Sequence, residues 1–224
     1  SLASSGRAPK LKKLSDGYLV KTGRGSVEID SRGAITRIEL GGRNVLKAPL
    51  EPYFWKPEND NQRYAGFAGR TAAWEKAGEL RELKSAEIIR TKGIAGVRFL
   101  FSLPVGAEYE LCYSSNNNGD IKVEADYRPF ADNIPLIPKF GMRMRLTPDF
   151  DRVEYYGRGP WENYPDRKQG YDIGLYAMPL SEFQVDYARP QDNGNRCDVR
   201  WLSLASEEHS LRIDGCQPLC IRAW

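Results

Sequence analysis

Short runs in which apolar and polar residues alternate cover most of the chain from Tyr18 onward. Residues 26–30 and 34–40 both alternate, and the turn-forming residues 31–33 lie between them. Because successive side chains of a strand point to opposite faces, this period of two predicts half-buried strands. Further strands are predicted at residues 44–46, 83–90, 96–103, 109–115, 121–128, 139–146, 152–156, 199–204, 211–213 and 219–223.

A helical pattern occurs only at residues 71–77, and Gly78 ends it after about two turns. Strands that do not alternate with long helices argue against a parallel βαβ sheet and against a TIM barrel. The pattern therefore predicts an all-β antiparallel sandwich with one short helix, formed by residues 18–224. The small, polar residues that begin the chain predict a linker or a cloning remnant at residues 1–17.

Composition and charge exclude several classes of protein. Five Trp, twelve Tyr and eight Phe supply enough aromatic surface for a core, which excludes a wholly disordered chain. No stretch approaches the roughly 18 consecutive apolar residues of a membrane-spanning helix, so no membrane partner is expected. The net charge is only +3, and the one basic cluster, Lys10, Lys12 and Lys13, is typical of a solvated segment. A nucleic-acid partner is therefore not expected.

The cysteines and the single histidine restrict the possible chemistry further. The four cysteines contain no CxxC pair, so the sequence does not predict a structural zinc site. Cys216 and Cys220 flank a Gln-Pro pair, where the sequence favours buried free thiols over a disulfide. His209 is predicted to be a surface residue, and a Ser-His-Asp or Cys-His catalytic site is not expected.

Strand periodicity leaves three irregular segments unexplained, at residues 53–63, 155–167 and 187–200. Each combines Gly or Pro with Arg, amide and acidic residues, together with aromatic residues. Such groups can grip sugar hydroxyls and stack on pyranose rings, which favours carbohydrate-binding loops. The same composition is also typical of buried hydrogen-bond networks that hold irregular loops in place. Composition alone leaves both interpretations open, with the buried network slightly ahead.

The irregular segments also carry a family resemblance. Residues 157–167 read GRGPWENYPDR, residues 54–62 read FWKPENDNQ, and residues 188–204 read ARPQDNGNRCDVRWLSL. These three motifs, taken in their order along the chain, resemble the C-terminal small-chain domain of glycoside hydrolase family 2 β-galactosidases. The resemblance implies an antiparallel supersandwich similar to galactose mutarotase. It also implies that the domain continues past Trp224, where this chain is truncated and a core strand is expected to end.

The resemblance implies that both catalytic glutamates belong to an upstream TIM barrel, so no catalytic residue is predicted in this chain. A retaining glycosidase needs two carboxyl groups about 5–5.5 Å apart, and Glu162 and Asp166 are the tempting pair. They are instead expected to accept hydrogen bonds from Arg158, Arg167 or backbone amides. Eleven residues are candidates for the substrate rim or for carbohydrate binding: Asp60, Asn61, Arg63, Arg158, Glu162, Asn163, Tyr164, Arg167, Gln191, Asn193 and Arg196.

The resemblance further implies a set of partners. The expected partners are the rest of the same β-galactosidase chain, chiefly its barrel, and a galactoside substrate at the rim, in a parent enzyme that can be homo-oligomeric. No cofactor or metal is expected in this chain, because the family's magnesium and sodium bind mainly to the barrel. Residues 62–73 correspond either to a mobile rim loop or to an ordinary surface connection. A soluble protein is expected, and its compartment, cytoplasmic or periplasmic or secreted, depends on residues upstream of Ser1.

Two alternative functions stay open. A carbohydrate-binding module would use the same three irregular segments to hold a sugar without any chemistry. A mutarotase-like enzyme would need an acid and a base, usually a histidine and a glutamate. His209 is the only histidine and follows Glu207 and Glu208 in a turn, so this alternative ranks last.

Overall fold

The computed structural model describes residue 2 and residues 6–223. The chain divides into two compact units, Ser1–Lys56 with Gly66–Leu146, and Pro57–Ala65 with Thr147–Trp224. In chain order the elements are β1 (Lys10–Leu14), β2 (Gly17–Lys21), β3 (Gly25–Asp30), β4 (Ile35–Leu40), β5 (Arg43–Asn44), β6 (Leu46–Tyr53), α1 (Asp60–Tyr64), α2 (Phe67–Thr71), a 3₁₀ turn (Ala72–Trp74), β7 (Glu82–Thr91), β8 (Ile94–Leu103), β9 (Ala107–Asn116), β10 (Ile121–Pro129), β11 (Gly141–Leu146), β12 (Arg152–Gly159), β13 (Asp172–Pro179), a second 3₁₀ turn (Leu180–Glu182), β14 (Arg196–Ala205) and β15 (Ser210–Ile221).

The first unit contains two antiparallel sheets. One has the strand order β1-β2-β3-β4-β6-β11, with β5 paired to β4, and the other has the order β10-β9-β8-β7. Alternate residues of β8 and β9 are buried, as the period of two predicts. The rings of Tyr18 on β2 and Phe99 on β8 meet edge to face at 5.8 Å, so side chains from the two sheets pack together.

The second unit is a single antiparallel sheet with the order β13-β12-β14-β15. Its apolar core consists of five buried residues, listed here: Val153, Tyr155, Phe183, Val199 and Leu202. Phe183 directly follows the second 3₁₀ turn and meets the Tyr155 ring edge to face at 5.8 Å. Gly157 on β12 is required beside this core, because a Cβ atom there would lie 2.7 Å from a methyl group of Val199.

The all-β fold with antiparallel sheets is confirmed, but several local predictions differ. Residues 10–14 of the predicted linker form strand β1, whose residues pair with β2 from Lys10 opposite Lys21 to Leu14 opposite Gly17. Strand β6 was predicted only at its first residue, because Pro49 and Pro52 interrupt the strand signal. The two strands predicted at 211–213 and 219–223 are one irregular strand, β15. The prediction that Trp224 ends a core strand lies outside the described residues, as do residues 1 and 3–5.

The helical segments also fall elsewhere than expected. The helix predicted at 71–77 is a 3₁₀ turn preceded by α2, and a separate helix, α1, begins at Asp60. Asn59 caps α1 with a capping box. The Asn59 side-chain oxygen accepts from the backbone N–H of Gln62, and the Gln62 side-chain oxygen accepts from the backbone N–H of Asn59. Over the described part of the chain, no helix has the length and apolar character needed to cross a bilayer.

Candidate functional site

Glu162 occupies a buried position in the irregular segment that follows β12, and only 4% of it is exposed. One carboxylate oxygen accepts hydrogen bonds from the Arg167 guanidinium and from the Tyr187 hydroxyl. The other accepts from the backbone N–H of Gly194 at 2.6 Å and, at 3.5 Å, from the Tyr164 hydroxyl. Each carboxylate oxygen therefore has two donors, which is how a protein stabilises a buried charge.

Asn163 is fully buried next to Glu162 and joins the segment after β12 to the start of β14. Its side-chain amide donates to the backbone carbonyls of Arg158 and Trp161, at 3.1 and 3.0 Å, and its side-chain oxygen accepts from the Cys197 amide at 2.8 Å. Its backbone carbonyl accepts from the side chain of Asn195 at 2.7 Å. These bonds satisfy the polar groups of a loop whose backbone lies outside any sheet.

Arg196 is the first residue of β14 and is 1% exposed. Its guanidinium lies over the Phe183 ring, 4.2 Å from the centroid, and its Nε donates to the Pro160 carbonyl at 2.9 Å. Stacking on an aromatic face and donating to a carbonyl are compatible with burial of a guanidinium. Arg196 therefore holds the segment after β12 in place, and its guanidinium is not available to a sugar.

A second ion pair lies beside the Tyr164 ring. The carboxylate of Asp192 accepts from the guanidinium of Arg222, and both side chains are largely buried. The guanidinium of Arg222 lies 5.9 Å from the Tyr164 centroid, and that of Arg167 lies 4.8 Å from it. Burial raises the pKa of Tyr164 above its ordinary value, and the carboxylates of Asp192 and Glu162 act in the same direction. Tyr164 is therefore a neutral donor at physiological pH.

Arg158 points to a different partner from the one expected. Its guanidinium donates to the carboxylate of Asp198 and to the carbonyl of Tyr171, the latter at 2.6 Å. Lys168 binds both oxygens of Asp198, at 2.9 and 3.0 Å. Hydrogen bonds from Lys168 and then from Arg158 lower the pKa of Asp198 below its ordinary value. Of the donors expected for Glu162, Arg167 and a backbone amide are confirmed, whereas Arg158 binds Asp198 instead. Asp166 is exposed.

The three candidates from the first motif lie on α1. Asp60 and Asn61 are exposed, and Arg63 is half-buried. The Arg63 Nε donates to Glu58 at 3.3 Å, and its Nη1 lies 3.6 Å from the Asp60 carboxylate. Arg189 approaches the same carboxylate at 3.9 Å. Residues 62–73, expected to be a rim loop or a surface connection, thus contain the end of α1, α2 and a 3₁₀ turn.

The structure brings five of the eleven candidates into one polar network, which we call the Glu162 cluster: Glu162, Asn163, Tyr164, Arg167 and Arg196, with Tyr187, Asp192, Gly194, Asn195 and Arg222. Gln191 and Asn193 are half-buried on either side of Asp192. Sequence reasoning missed Tyr187, Asp192, Asn195 and Arg222 as members. A signal existed for the first three, since all lie in the irregular segment 187–200.

The cysteine and histidine predictions need correction too. Cys216 and Cys220 are free, as expected, but both are exposed, because Gln217 and Pro218 lie within the irregular strand β15 and not in a buried turn. The buried cysteines are Cys112 and Cys197. His209 lies in the turn between β14 and β15 and is half-buried, with its carbonyl accepting from the Ser206 amide at 2.8 Å.

The described residues contain no group of three or more His, Cys, Asp or Glu arranged to hold a metal ion. The Glu162 cluster instead pairs each buried charge with a guanidinium, a hydroxyl or an amide. Such an arrangement holds loops rigidly, and rigid loops on a β scaffold are a common support for a binding surface. The expectation that no metal or cofactor binds here stays a prediction.

Comparison with known proteins gives consistent matches. Residues 22–224 match the family model described as β-galactosidase small chain. A β-galactosidase of Lactobacillus delbrueckii subsp. bulgaricus is 36% identical over 81% of this chain and 18% of its own length. A β-galactosidase of Priestia megaterium is 30% identical over 73% of this chain and 16% of its own length. One of Actinobacillus pleuropneumoniae is 28% identical over 89% of this chain and 20% of its own length. The chain thus spans about a fifth of the length of the curated relatives it matches.

Proposed function

Because the chain belongs to the β-galactosidase small-chain family, we propose that it is a noncatalytic β-sandwich domain of a β-galactosidase. The whole enzyme would hydrolyse terminal β-D-galactosides, and this domain would pack on the catalytic barrel and shape the active-site rim. Relatives named β-galactosidases, which extend well beyond the region matched here, support this assignment. The magnesium and sodium of the whole enzyme would bind mainly outside this domain.

The observation that carries the noncatalytic role is the full use of Glu162 within the protein. A catalytic acid or nucleophile must present a carboxylate oxygen to the glycosidic bond. Both oxygens of Glu162 already accept two hydrogen bonds from within the chain, and the side chain is buried. The chain expressed alone should therefore turn over no galactoside.

The corresponding experiment compares the whole enzyme with its Glu162→Gln variant on a chromogenic β-galactoside. Loss of a general acid or base lowers kcat by about 10²–10⁴-fold. A structural role predicts a kcat per folded molecule within about threefold of the unchanged enzyme, with the main loss in thermal stability. Asp166→Asn, at an exposed carboxylate of the same segment, is the matched control and should change neither quantity. A catalytic role for Glu162 would instead give a folded, stable enzyme with the large kcat loss.

Exposed apolar side chains suggest how the second unit contacts the barrel. Tyr156 on β12 and Leu175 on β13 lie opposite each other, and 40% and 61% of them are exposed. Ile173, two residues before Leu175 and so on the same face of β13, is 40% exposed. A contiguous apolar face of this kind is typical of a surface that another domain covers. We place the contact with the rest of the β-galactosidase chain there.

Leu175→Glu tests this contact, because a charge at a buried interface leaves an unpaired ion. The variant should lower the stability of the whole enzyme, while leaving the chain expressed alone with the same thermal midpoint. Val123→Glu, at a residue of β10 in the first unit that is 37% exposed, serves as a control. An unchanged stability of the whole enzyme carrying Leu175→Glu would refute the contact.

The rim role would fall to α1, which carries Asp60, Asn61 and Arg63. Tyr64 at the end of this helix is 85% exposed, and an aromatic ring next to amide and guanidinium groups suits contact with a sugar. Replacing Asn61 with alanine in the whole enzyme should raise KM for galactosides while preserving stability, because Asn61 is exposed. Unchanged kinetics would remove the rim role from this helix.

A second candidate, a carbohydrate-binding module, is favoured by Trp161. This residue adjoins Glu162, and 70% of it is exposed, which is unusual for a ring so large. Exposed Trp rings provide stacking surfaces for pyranose sugars. Calorimetry of the chain alone with galactose and lactose distinguishes the two functions. A scaffold domain gives no saturable heat, whereas a module gives saturable binding that Trp161→Ala removes.

A further inference from the structure

Two cysteine side chains meet where strands β14 and β15 fall out of register. Arg196 pairs with Ile221 and Val199 pairs with Leu219, so two residues of β14 lie opposite Cys220 alone. This is the arrangement of a β-bulge, in which one strand carries an extra residue. Asp198 accommodates it with a φ of 53°, in the left-handed region that Asp adopts more readily than most residues. The bulge leaves Cys197 facing Cys220.

The sulfur atoms of Cys197 and Cys220 lie 3.4 Å apart. A disulfide requires about 2.05 Å between sulfur atoms, and neighbouring antiparallel strands lie close enough for such a bond. Small side-chain rotations therefore bring the two sulfurs into bonding distance without a change in strand pairing. Both thiols are free in the structure.

The surroundings give the two thiols different roles. Cys220 is exposed, whereas Cys197 is 1% exposed and accepts a hydrogen bond from the Asn195 side chain at 3.3 Å. Hydrogen bonding with Cys197 lowers the pKa of the Cys220 thiol to about 6, and Asn195 and Arg222 act in the same direction. The pKa of Cys197 is raised instead, by its hydrogen bond with Cys220 and by its burial. Cys220 is thus the residue that solvent reaches and the one whose thiolate is favoured at neutral pH.

We propose that Cys197 and Cys220 form a thiol-oxidation site, in which low-molecular-weight disulfides such as oxidised glutathione react at Cys220 and Cys197 then closes an intramolecular disulfide. The geometric support is the bulge, the 3.4 Å separation of the sulfurs and the contrast in exposure. This site lies outside the sugar chemistry of the proposed function and stands without it.

The reaction consists of two thiol–disulfide exchanges. The Cys220 thiolate attacks one sulfur of oxidised glutathione, the glutathione S–S bond breaks, and one glutathione thiolate leaves and takes up the proton that Cys220 released. The Cys197 sulfur then attacks the Cys220 sulfur, the mixed disulfide breaks, and the second glutathione leaves with the proton from Cys197. Two protein thiols are oxidised, and one oxidised glutathione is reduced to two thiols.

The test incubates the whole protein with oxidised glutathione at neutral pH and maps its peptides by mass spectrometry without reduction. A Cys216→Ser background removes the other exposed thiol of this strand. The expected product is a linked pair of peptides that contain Cys197 and Cys220, and dithiothreitol should separate them again. Recovery of both peptides with free thiols would overturn the proposal.

Two variants separate the roles of the thiols. With Cys197→Ser, the mixed disulfide at Cys220 cannot be resolved, so one glutathione should stay attached there. With Cys220→Ser, the buried Cys197 should remain a free thiol. If glutathione stays on Cys220 in the protein that retains Cys197, the resolving step is wrong. Because Cys220 is exposed, Cys220→Ser should fold even if Cys197→Ser does not. The peptide map of the protein that retains both cysteines decides the proposal without either variant.

Discussion

The first unit fills the space between its two sheets with aromatic and aliphatic side chains, and Phe99, Phe101 and Tyr109 on β8 and β9 are each almost fully buried. The described residues of the second unit form one sheet with a five-residue apolar core. Among the described residues, six of the ten buried polar or charged side chains belong to this smaller unit. A unit with one sheet has less apolar surface to bury, so hydrogen bonds and ion pairs take a larger share in fixing its loops.

The largest predicted effect tests the apolar core of the first unit. Phe99→Ala removes a fully buried ring that contacts the rings of Tyr18, Phe101 and Tyr113. Such truncations lower the free energy of unfolding by about 3–5 kcal/mol. Hydrogen exchange measured by mass spectrometry should show the loss of protection in β8 and β9. Ile88→Ala on the neighbouring strand β7, at a side chain 38% exposed, is the control and should cost far less.

The next prediction tests the polar Glu162 cluster of the second unit. Asn163→Ala removes three side-chain hydrogen bonds and leaves the buried amide of Cys197 without its acceptor. Each buried polar group left unsatisfied costs about 1–3 kcal/mol, so we expect a loss of about 3 kcal/mol in the free energy of unfolding. Chemical denaturation measures it. An effect no larger than that of an exposed substitution such as Gln169→Ala would mean that the Glu162 cluster does not stabilise its loops.

Glu162→Gln should have a smaller effect than Asn163→Ala. The glutamine oxygen can still accept hydrogen bonds, for example from the Gly194 amide, but the charge opposite Arg167 is lost and one amide N–H₂ replaces an acceptor. Because half of the Arg167 side chain is exposed, water compensates part of this loss. We expect about 1–2 kcal/mol, from the strength of hydrogen bonds to charged groups. Raised salt should only slightly reduce the difference in the free energy of unfolding between the unchanged protein and Glu162→Gln, because the carboxylate is buried.

The same contrast explains how much of the fold the sequence could predict. Every second residue of strands β8 and β9 is buried because each strand packs one face on a core, and both strands were predicted within about two residues at each end. Strand β13 was missed, since Gly174 interrupts it and its apolar residues Ile173 and Leu175 face outward. Alternation identifies strands through their buried face, and it fails where the exposed face carries the apolar residues.

The Glu162 cluster was predictable in part. The family motif and the mixture of Gly, Pro, Arg and amides singled out Glu162, Asn163 and Arg167. The partner of Arg158 was not predictable, because it depends on the bulge that orients Asp198. Arg222 lies more than 20 residues beyond the segment 187–200, so only the pairing of β14 with β15 brings it to Asp192. Contacts set by strand register leave no local pattern in the sequence.

The smallest predicted effect is a dependence of stability on pH. Lys168 and Arg158 lower the pKa of Asp198 in the folded protein below its ordinary value of 3.8. Since the unfolded chain binds a proton more readily, the carboxylate contributes its stabilisation fully above that ordinary value and loses it as the pH falls through the folded pKa. Asp198→Asn preserves the preference for a positive φ but removes the charge. It should lower the free energy of unfolding at pH 7 by at most about 1.5 kcal/mol, the lower end for a charged hydrogen bond, because the side chain is partly exposed. The difference between the two proteins should shrink in denaturation curves below pH 4, whereas a constant difference would show that Asp198 stabilises the bulge by its shape alone.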